Sequence, residues 1–235
     1  MKIPRAPHSW RVTPARAAIQ RALSTQVMMV PITRRPRFVA GVDAAFPKDG
    51  QSAVAAAVLW DVERREAIEE RLATRPLTFP YVPGLLSFRE APAVIAALRK
   101  LRRVPDVIMC DAHGYAHPRR FGLACHVGVI CGIPTLGCAK SRLVGVHRDP
   151  GPRRGARAPL VDDRCGAEVV GSVLRTRDGV RPVYVSVGHL IDLHGAEQVV
   201  LSCGGVSTPG ADAESGLAGE LTRNAASPLA ASSSA

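Results

Sequence analysis

The chain has 235 residues, which suits one α/β domain with a full core and leaves too little for two. It carries 31 Lys and Arg against 20 Asp and Glu, a net charge of +11, which favours a polyanionic partner, nucleic acid before an anionic membrane surface. No apolar run approaches the roughly 18 residues that span a bilayer, and the first residues lack the apolar core of a signal peptide. A cytoplasmic protein that does not enter membranes is therefore expected.

The hydrophobic pattern predicts strands and helices that alternate along the chain. It predicts an amphipathic helix over 14–28 and then a meander of strands at 37–46, 53–61 and 66–75. A helix follows over 87–103, with Ser87 as the predicted N-cap and Glu90 at the capping-box position. The later predicted elements are a strand at 106–111, a helix at about 119–131, a strand at 135–139, a strand pair at 168–175 and 182–188, and a helix at 194–203. This order predicts one mixed sheet covered by helices.

The sequence also predicts a loop, a disordered tail and the state of the cysteines. Residues 147–159 are rich in Pro, Gly and Arg, which predicts a mobile cationic loop that either contacts phosphate or is merely solvated. The composition of 225–235 predicts a disordered tail. The six cysteines show no C-x-x-C spacing for zinc or redox chemistry, and four lie in apolar segments, so reduced structural thiols are expected.

Two strand-like apolar segments each carry one isolated aspartate near their end, Asp43 in the first and Asp111 in the second. A lone carboxylate in an apolar strand is costly to bury without a partner. If parallel pairing places the two side by side, their repulsion reaches ~4 kcal/mol at an effective dielectric of about 20. A divalent cation held between them would turn that cost into a binding site. The alternative is that each aspartate caps the loop after its strand.

Four longer blocks surround these aspartates and carry a resemblance to a known family. In chain order they are Phe79–Glu90, Asp111–Gly128, Gly132–Arg142 and Pro182–Leu193. In order and spacing they resemble endonuclease V, the deoxyinosine 3′ endonuclease family, and the resemblance runs from about residue 19 to residue 203. It implies an α/β fold of the ribonuclease H-like type, in which a mixed β-sheet is flanked by helices, as a single catalytic domain over 1–224 before the tail.

The resemblance also implies a catalytic group of four residues. Asp43, Glu90 and Asp111 match the family's metal-binding carboxylates, and Lys140 matches its catalytic lysine, which would hold the scissile phosphate or orient the attacking water. The implied cofactor is Mg²⁺, with Mn²⁺ as a substitute, because a carboxylate-bound cation activates water and neutralises phosphate charge. From the residues alone, a capping role is preferred for Glu90, and a lone strand-end lysine is usually solvated.

The implied nucleic-acid contacts lie in two of the blocks. Pro80-Tyr-Val-Pro83 resembles the family's strand-separating wedge, whose prolines stiffen the loop so that Tyr81 can stack where the lesion base is rotated out. The alternative is a rigid surface turn with a packed tyrosine. His117 is expected on the DNA backbone or a metal-bound water, and His126 is expected to be structural. The other implied DNA contacts are Arg89 and Arg119, and the implied base pocket, where glycines admit close main-chain approach, comprises Gly84, Leu85, Gly114, Gly122 and Gly137.

The expected function is a DNA repair endonuclease that nicks the second phosphodiester bond 3′ to deoxyinosine and leaves 5′-phosphate ends. It is expected to act as a monomer on inosine-containing DNA. The alternatives are an endoribonuclease that acts on inosine-containing RNA and a binding-only protein for inosine or branched DNA. One departure from the family is Gly219, which stands where relatives place an Asp or His close to the metals. The departure predicts a higher Mg²⁺ requirement or a preference for Mn²⁺.

Overall fold

The computed structural model describes residues 15–47, 50–164 and 166–204. The described part of the chain contains four helices and eight strands in a mixed order. The helices are α1 (Ala15–Ser24), α2 (Ser87–Leu98), α3 (Leu123–Cys131) and α4 (Leu193–Cys203). The strands are β1 (Phe38–Ala45), β2 (Ser52–Asp61), β3 (Glu66–Pro76), β4 (Val107–Cys110), β5 (Thr135–Ala139), β6 (Arg157–Asp162), β7 (Glu168–Leu174) and β8 (Val183–His189).

All eight strands form one sheet in the order β3-β2-β1-β4-β5-β8-β7-β6. The first three strands are the predicted antiparallel meander. Strand β4 then pairs parallel to both β1 and β5, and the remaining pairs are antiparallel. The predicted single mixed sheet is therefore confirmed.

Helices cover both faces of the sheet, and the alternation of side chains along the central strands divides the core between them. Ile108 packs on one face with the buried residues of α2 and α3, such as Ile95 and Val127. Its neighbour Met109 packs on the other face with α4, which contributes Val199. Because β4 is buried on both faces, polar groups on this segment can reach solvent only at its ends.

The predicted loop over 147–159 ends earlier than expected, and its mobility stays a prediction. Strand β6 begins at Arg157 and forms the last strand of the sheet, where Pro159 is tolerated because one edge has no ladder to complete. The preceding turn is held by the buried Arg175, whose guanidinium donates to Gly151 O at 2.8 Å and to Asp149 Oδ1 at 2.8 Å.

The predicted cap of α2 is wrong in its detail. The N-cap residue is Leu86, and no side chain caps the helix. Ser87 is buried, and its hydroxyl lies 3.3 Å from His126 Nδ1 on α3. The hydroxyl therefore joins two helices where the sequence pattern predicts a local cap. Helix α3 begins at Leu123, later than predicted, because Arg120 has a left-handed φ of 56° and Gly122 is extended.

His126 is a buried structural histidine, as expected, and this has a consequence for acid stability. Its ring packs against Phe88 at 4.8 Å and Phe121 at 5.4 Å between centroids. Burial lowers its pKa to about 4. An unfolded histidine titrates near 6.5 and therefore binds a proton before the buried His126 does. The free energy of unfolding consequently falls as the pH drops from about 6.5 towards 4.

We therefore expect His126→Gln to flatten the acid sensitivity of the fold. Between pH 7 and pH 5 the wild-type free energy of unfolding should fall by about 2 kcal/mol more than that of the variant, since only the wild type must bury a neutral imidazole. Urea unfolding at the two pH values measures the difference. Parallel losses in both proteins would contradict the assignment of this acid sensitivity to His126.

Two expectations fall outside the described residues: the tail at 225–235 and the substitution of the family's terminal ligand by Gly219. The boundary of the predicted 1–224 domain lies there as well. Among the residues that the structure does describe, no helix combines the length and the apolar character needed to cross a membrane.

Candidate active site

Asp43 and Asp111 lie side by side near the carboxyl ends of two central strands of the sheet. Strands β1 and β4 are parallel with Val42 opposite Cys110, so the next residue of each chain segment is the aspartate. The Asp111 N–H donates to Val42 O at 3.0 Å, which continues the ladder to the aspartates themselves. Asp43 Oδ1 accepts from Ala44 N–H at 2.7 Å. The predicted juxtaposition of the two carboxylates is therefore present.

Lys140 joins this pair from the next strand. It follows β5, which pairs parallel to β4, and its ammonium lies 2.6 Å from Asp111 Oδ2. The Asp111 side chain is 11% exposed and the Lys140 side chain 45%, so the ion pair lies at the boundary between protein and solvent. The Lys140 ammonium can therefore contact a phosphate that approaches from solvent while it stays paired with Asp111.

Glu90 completes the acidic group from helix α2. Its pKa is raised to about 8, first by burial and then by the negative charges of Asp43 and Asp111. The adjacent Arg89 guanidinium opposes this shift, yet it stacks over the Phe46 ring at 4.6 Å. Glu90 thus lies within electrostatic reach of both aspartates, and its charged form is destabilised in the absence of a further cation.

The donor set fits a divalent cation. Three carboxylates with mutual repulsion offer only oxygen ligands, which hard cations such as Mg²⁺ prefer. Within residues 15–47, 50–164 and 166–204, however, no group of three His, Cys, Asp or Glu side chains converges as a ready-made metal site. The electrostatic coupling of Glu90 to Asp43 and Asp111 indicates that the three carboxyl groups lie near one another, and a bound cation would stabilise their charged forms.

The predicted wedge loop, Pro80–Pro83, projects from the surface beside α2. Tyr81 is 68% exposed, so the alternative of a packed tyrosine in a surface turn is wrong. The loop is anchored at its ends, because Phe79 and Leu85 are buried together with Phe88 in a small apolar cluster. Pro80 and Pro83 are exposed between these anchors. An exposed ring on a stiff, anchored loop is suited to insertion between bases.

His117 and Arg119 lie beside the end of this loop. His117 is buried, and its Nδ1 accepts from Arg119 N–H at 3.2 Å. Burial, and next the Arg119 guanidinium, lower the pKa of His117 to about 4 against an opposing hydrogen bond with Gly84. The ring is therefore neutral at physiological pH in the free protein.

The glycines of the predicted base pocket bring the main chains of the strand ends into direct contact. A Cβ on Gly137 would lie 2.4 Å from Ala112 O, and one on Gly122 would lie 2.2 Å from His113 O. A Cβ on Gly114 would lie 2.1 Å from Val187 O. These positions exclude any side chain, so the loop after Asp111 is held by backbone contacts on several sides.

Sequence reasoning missed three polar groups that brace the site. His113 Nε2 lies 2.9 Å from Ser141 O and so links the loops after β4 and β5. Arg120 pairs with Asp162 at 2.9 Å and Glu168 at 2.7 Å. Gln20 is fully buried although it belongs to α1. For Gln20, a signal existed: a polar residue spaced by three from Ala17 and Leu23 on the apolar side of the helix.

Carboxylates and a lysine at the carboxyl ends of neighbouring strands are suited to metal-assisted phosphodiester cleavage, because carboxylate-bound cations can activate water and neutralise phosphate charge. The endonuclease V family model matches residues 21–211. Endonuclease V of Roseiflexus castenholzii is 52% identical over 202 residues, which cover 85% of this chain and 88% of the relative. The chain therefore belongs to the endonuclease V family.

Solved structures of the family share its ribonuclease H-like fold. Endonuclease V of Streptomyces avermitilis superposes with a TM-score of 0.83 at 42% identity, covering 96% of this chain and 98% of its own. Endonuclease V of Ciona intestinalis, crystallised with a 24-mer DNA containing an inosine followed by a ribo-adenosine, superposes with a TM-score of 0.77. At 22% identity, over 92% of this chain and 98% of that one, this second likeness is one of fold.

Proposed function

We propose that this protein is a Mg²⁺-dependent repair endonuclease that recognises deoxyinosine in DNA and hydrolyses the second phosphodiester bond 3′ to it. The products are a 3′-hydroxyl and a 5′-phosphate. The observation that carries the proposal is the adjacency of Asp43 and Asp111, with Glu90 coupled to both and Lys140 paired to Asp111. A cytoplasmic monomer is proposed on the sequence alone.

The residues divide the chemistry among themselves. Asp43, Asp111 and Glu90 would hold Mg²⁺ or Mn²⁺, which supplies an activated water and neutralises charge on the phosphate when it is bound. Lys140 adds a positive charge beside these carboxylates and would stabilise the negative charge that develops on the phosphate oxygens. Its hydrogen bond to Asp111 keeps the ammonium oriented before the substrate arrives. Such preorganisation avoids rearrangement during the reaction.

We assign recognition of the lesion base to the loops next to these carboxylates. The exposed ring of Tyr81 would replace the stacking of a base that leaves the helix. The main-chain groups around Gly84, Leu85, Gly114, Gly122 and Gly137 would read hypoxanthine, whose N1–H donor and O6 acceptor reverse the pattern of adenine. A buried site whose polar groups pair with hypoxanthine disfavours adenine, because the polar groups of the site would then lack hydrogen-bond partners.

The decisive experiment is a nicking assay on an end-labelled duplex with one deoxyinosine, in Mg²⁺ and in EDTA. We expect one nick at the second bond 3′ to the lesion in Mg²⁺, none in EDTA, and none in a matched undamaged duplex. Failure to nick in Mg²⁺ or Mn²⁺ despite tight inosine binding would instead support the binding-only alternative. Parallel oligonucleotides with inosine in RNA distinguish the endoribonuclease alternative by rate.

Tyr81→Ala should separate recognition from chemistry. We expect inosine-duplex binding to weaken by roughly 1–3 kcal/mol, the usual value of one base–aromatic stack. Single-stranded inosine substrates should lose less, because no strand needs to be opened. Fluorescence anisotropy on both substrates measures the two losses. Equal losses on single- and double-stranded DNA would contradict a strand-separating role.

A further inference from the structure

Gln20 is the fully buried polar residue of α1, and its amide reaches two distant loops. Its Nε2 donates to Phe121 O at 2.7 Å and to Gly84 O at 3.2 Å. These contacts join the first helix to the segment before α3 and to the end of the wedge loop. A buried amide in an amphipathic helix is retained only where its hydrogen bonds are met, and here they are met by main-chain carbonyls.

Arg119 completes the cluster from the opposite side. Its Nε donates to Gln20 Oε1, and its Nη2 donates to Gly84 O. The Gly84 carbonyl is therefore the common acceptor of both side chains. These hydrogen bonds direct the guanidinium into the protein, whereas an arginine that is available to a phosphate directs it towards solvent.

Gly84 itself is suited to this role. Its φ of 75° is in the left-handed region, and a Cβ there would lie 2.6 Å from Arg119 Nη2. The main chain turns at this residue so that its carbonyl meets the cluster while Leu85 N–H closes the loop onto Val82 O at 2.9 Å. The wedge loop carrying Tyr81 thus ends on a residue whose position depends on Gln20 and Arg119.

We propose that Gln20 is a positioning residue that, together with Arg119, fixes the Gly84 end of the wedge loop and so supports strand separation at inosine in duplex DNA. The inference rests on the proposed function for its consequence in activity, whereas the fixing of the loop is a property of the free protein. Arg119 is accordingly an internal clamp. Fixing the loop in advance removes an ordering cost that would otherwise oppose each binding event.

The first test is hydrogen–deuterium exchange of the free protein, which needs no activity. Gln20→Leu should speed exchange of the Leu85 amide by about tenfold, the value of one lost buried hydrogen bond. Arg21→Ala, an exposed change on the same helix, is the matched control and should leave it unchanged. Unchanged Leu85 exchange in a folded Gln20→Leu protein would overturn the proposal.

The second test is kinetic. Gln20→Leu should lower kcat/KM on inosine duplex by about tenfold while single-stranded inosine substrate and the Mg²⁺ dependence change little. Gln20→Glu, which keeps the acceptor for Arg119 but places a second acceptor against the Phe121 and Gly84 carbonyls, should not recover the loss. Equal loss on both substrates would overturn the proposal. A wild type that fails to nick would contradict the proposed function and leave the exchange result to decide this one.

The third test uses Arg119→Met, which also serves if Gln20→Leu does not fold. As an internal clamp, Arg119 should not alter the salt dependence of binding to undamaged duplex. The double variant should lose no more than the worse single variant, because both act on one carbonyl. A salt slope reduced by about one would show a direct phosphate contact and overturn the clamp.

Discussion

Replacing Asp43 or Asp111 with alanine should remove nearly all nicking while the protein stays folded and still binds inosine DNA. Residues that merely support metal ligands typically cost ~10–100-fold when they are changed, so loss of a direct ligand should cost at least about 100-fold. Folding should survive, because both side chains lie near the carboxyl ends of their strands and are only partly buried. Single-turnover nicking and anisotropy measure the two properties separately.

Asp106 is the matched control for this experiment. It lies at the opposite end of β4, where its Oδ2 accepts from Arg37 N–H at 3.0 Å and Phe38 N–H at 2.9 Å. Asp106→Asn keeps an acceptor oxygen at that end and removes the charge, so nicking should continue near the wild-type rate. Wild-type turnover by either alanine variant would show that the cleavage centre lies elsewhere.

The adjacency of the two aspartates could be predicted from the sequence because the relevant physics is local, whereas the catalytic roles of the site residues stay predictions. Asp43 and Asp111 each follow an apolar run, and parallel strands that start in register must end in register. The strand pattern also placed Lys140 at the end of the next strand, but its catalytic role came from the family resemblance. These positions need no knowledge of side-chain contacts across the fold.

The errors arose where a distant partner outweighed a local preference. Ser87 has a sequence typical of an N-cap, but its hydroxyl lies against His126 on another helix. Strand β6 has alternate buried residues, Ala158, Leu160 and Asp162, and Pro159 masked this pattern. A proline is compatible with a strand only at an edge, and position in the sheet is a tertiary property.

The internal hydrogen bonds of Arg119 were also beyond single-sequence reasoning, while its predicted DNA contact stays a prediction. A His-Pro-Arg motif in a basic chain favours a phosphate contact, since no local residue competes for the guanidinium. Its partners, Gln20 and Gly84, lie 99 and 35 positions away in sequence. Buried polar networks of this kind depend on which segments the fold brings together, and single-sequence patterns do not contain that information.

Lys140→Met should lower the nicking rate and, at the same time, lower the Mg²⁺ concentration at which the variant is half-saturated. The loss of rate should be about 10²–10³-fold, as for other preorganised groups that stabilise developing charge. The gain in metal binding follows from the ion pair, because the ammonium occupies Asp111 Oδ2 at 2.6 Å and competes with a cation for that oxygen. Titration of the rate with Mg²⁺ measures both effects.

Lys140→Arg is the matched control, since it keeps the positive charge and should keep the wild-type metal requirement even if its rate falls. The two effects of Lys140→Met have opposite signs, which separates this prediction from general damage to the site. A distorted site would lose rate and require more metal. If Lys140→Met needs as much Mg²⁺ as the wild type, or more, the ammonium does not compete for Asp111, and its contribution is confined to the phosphate.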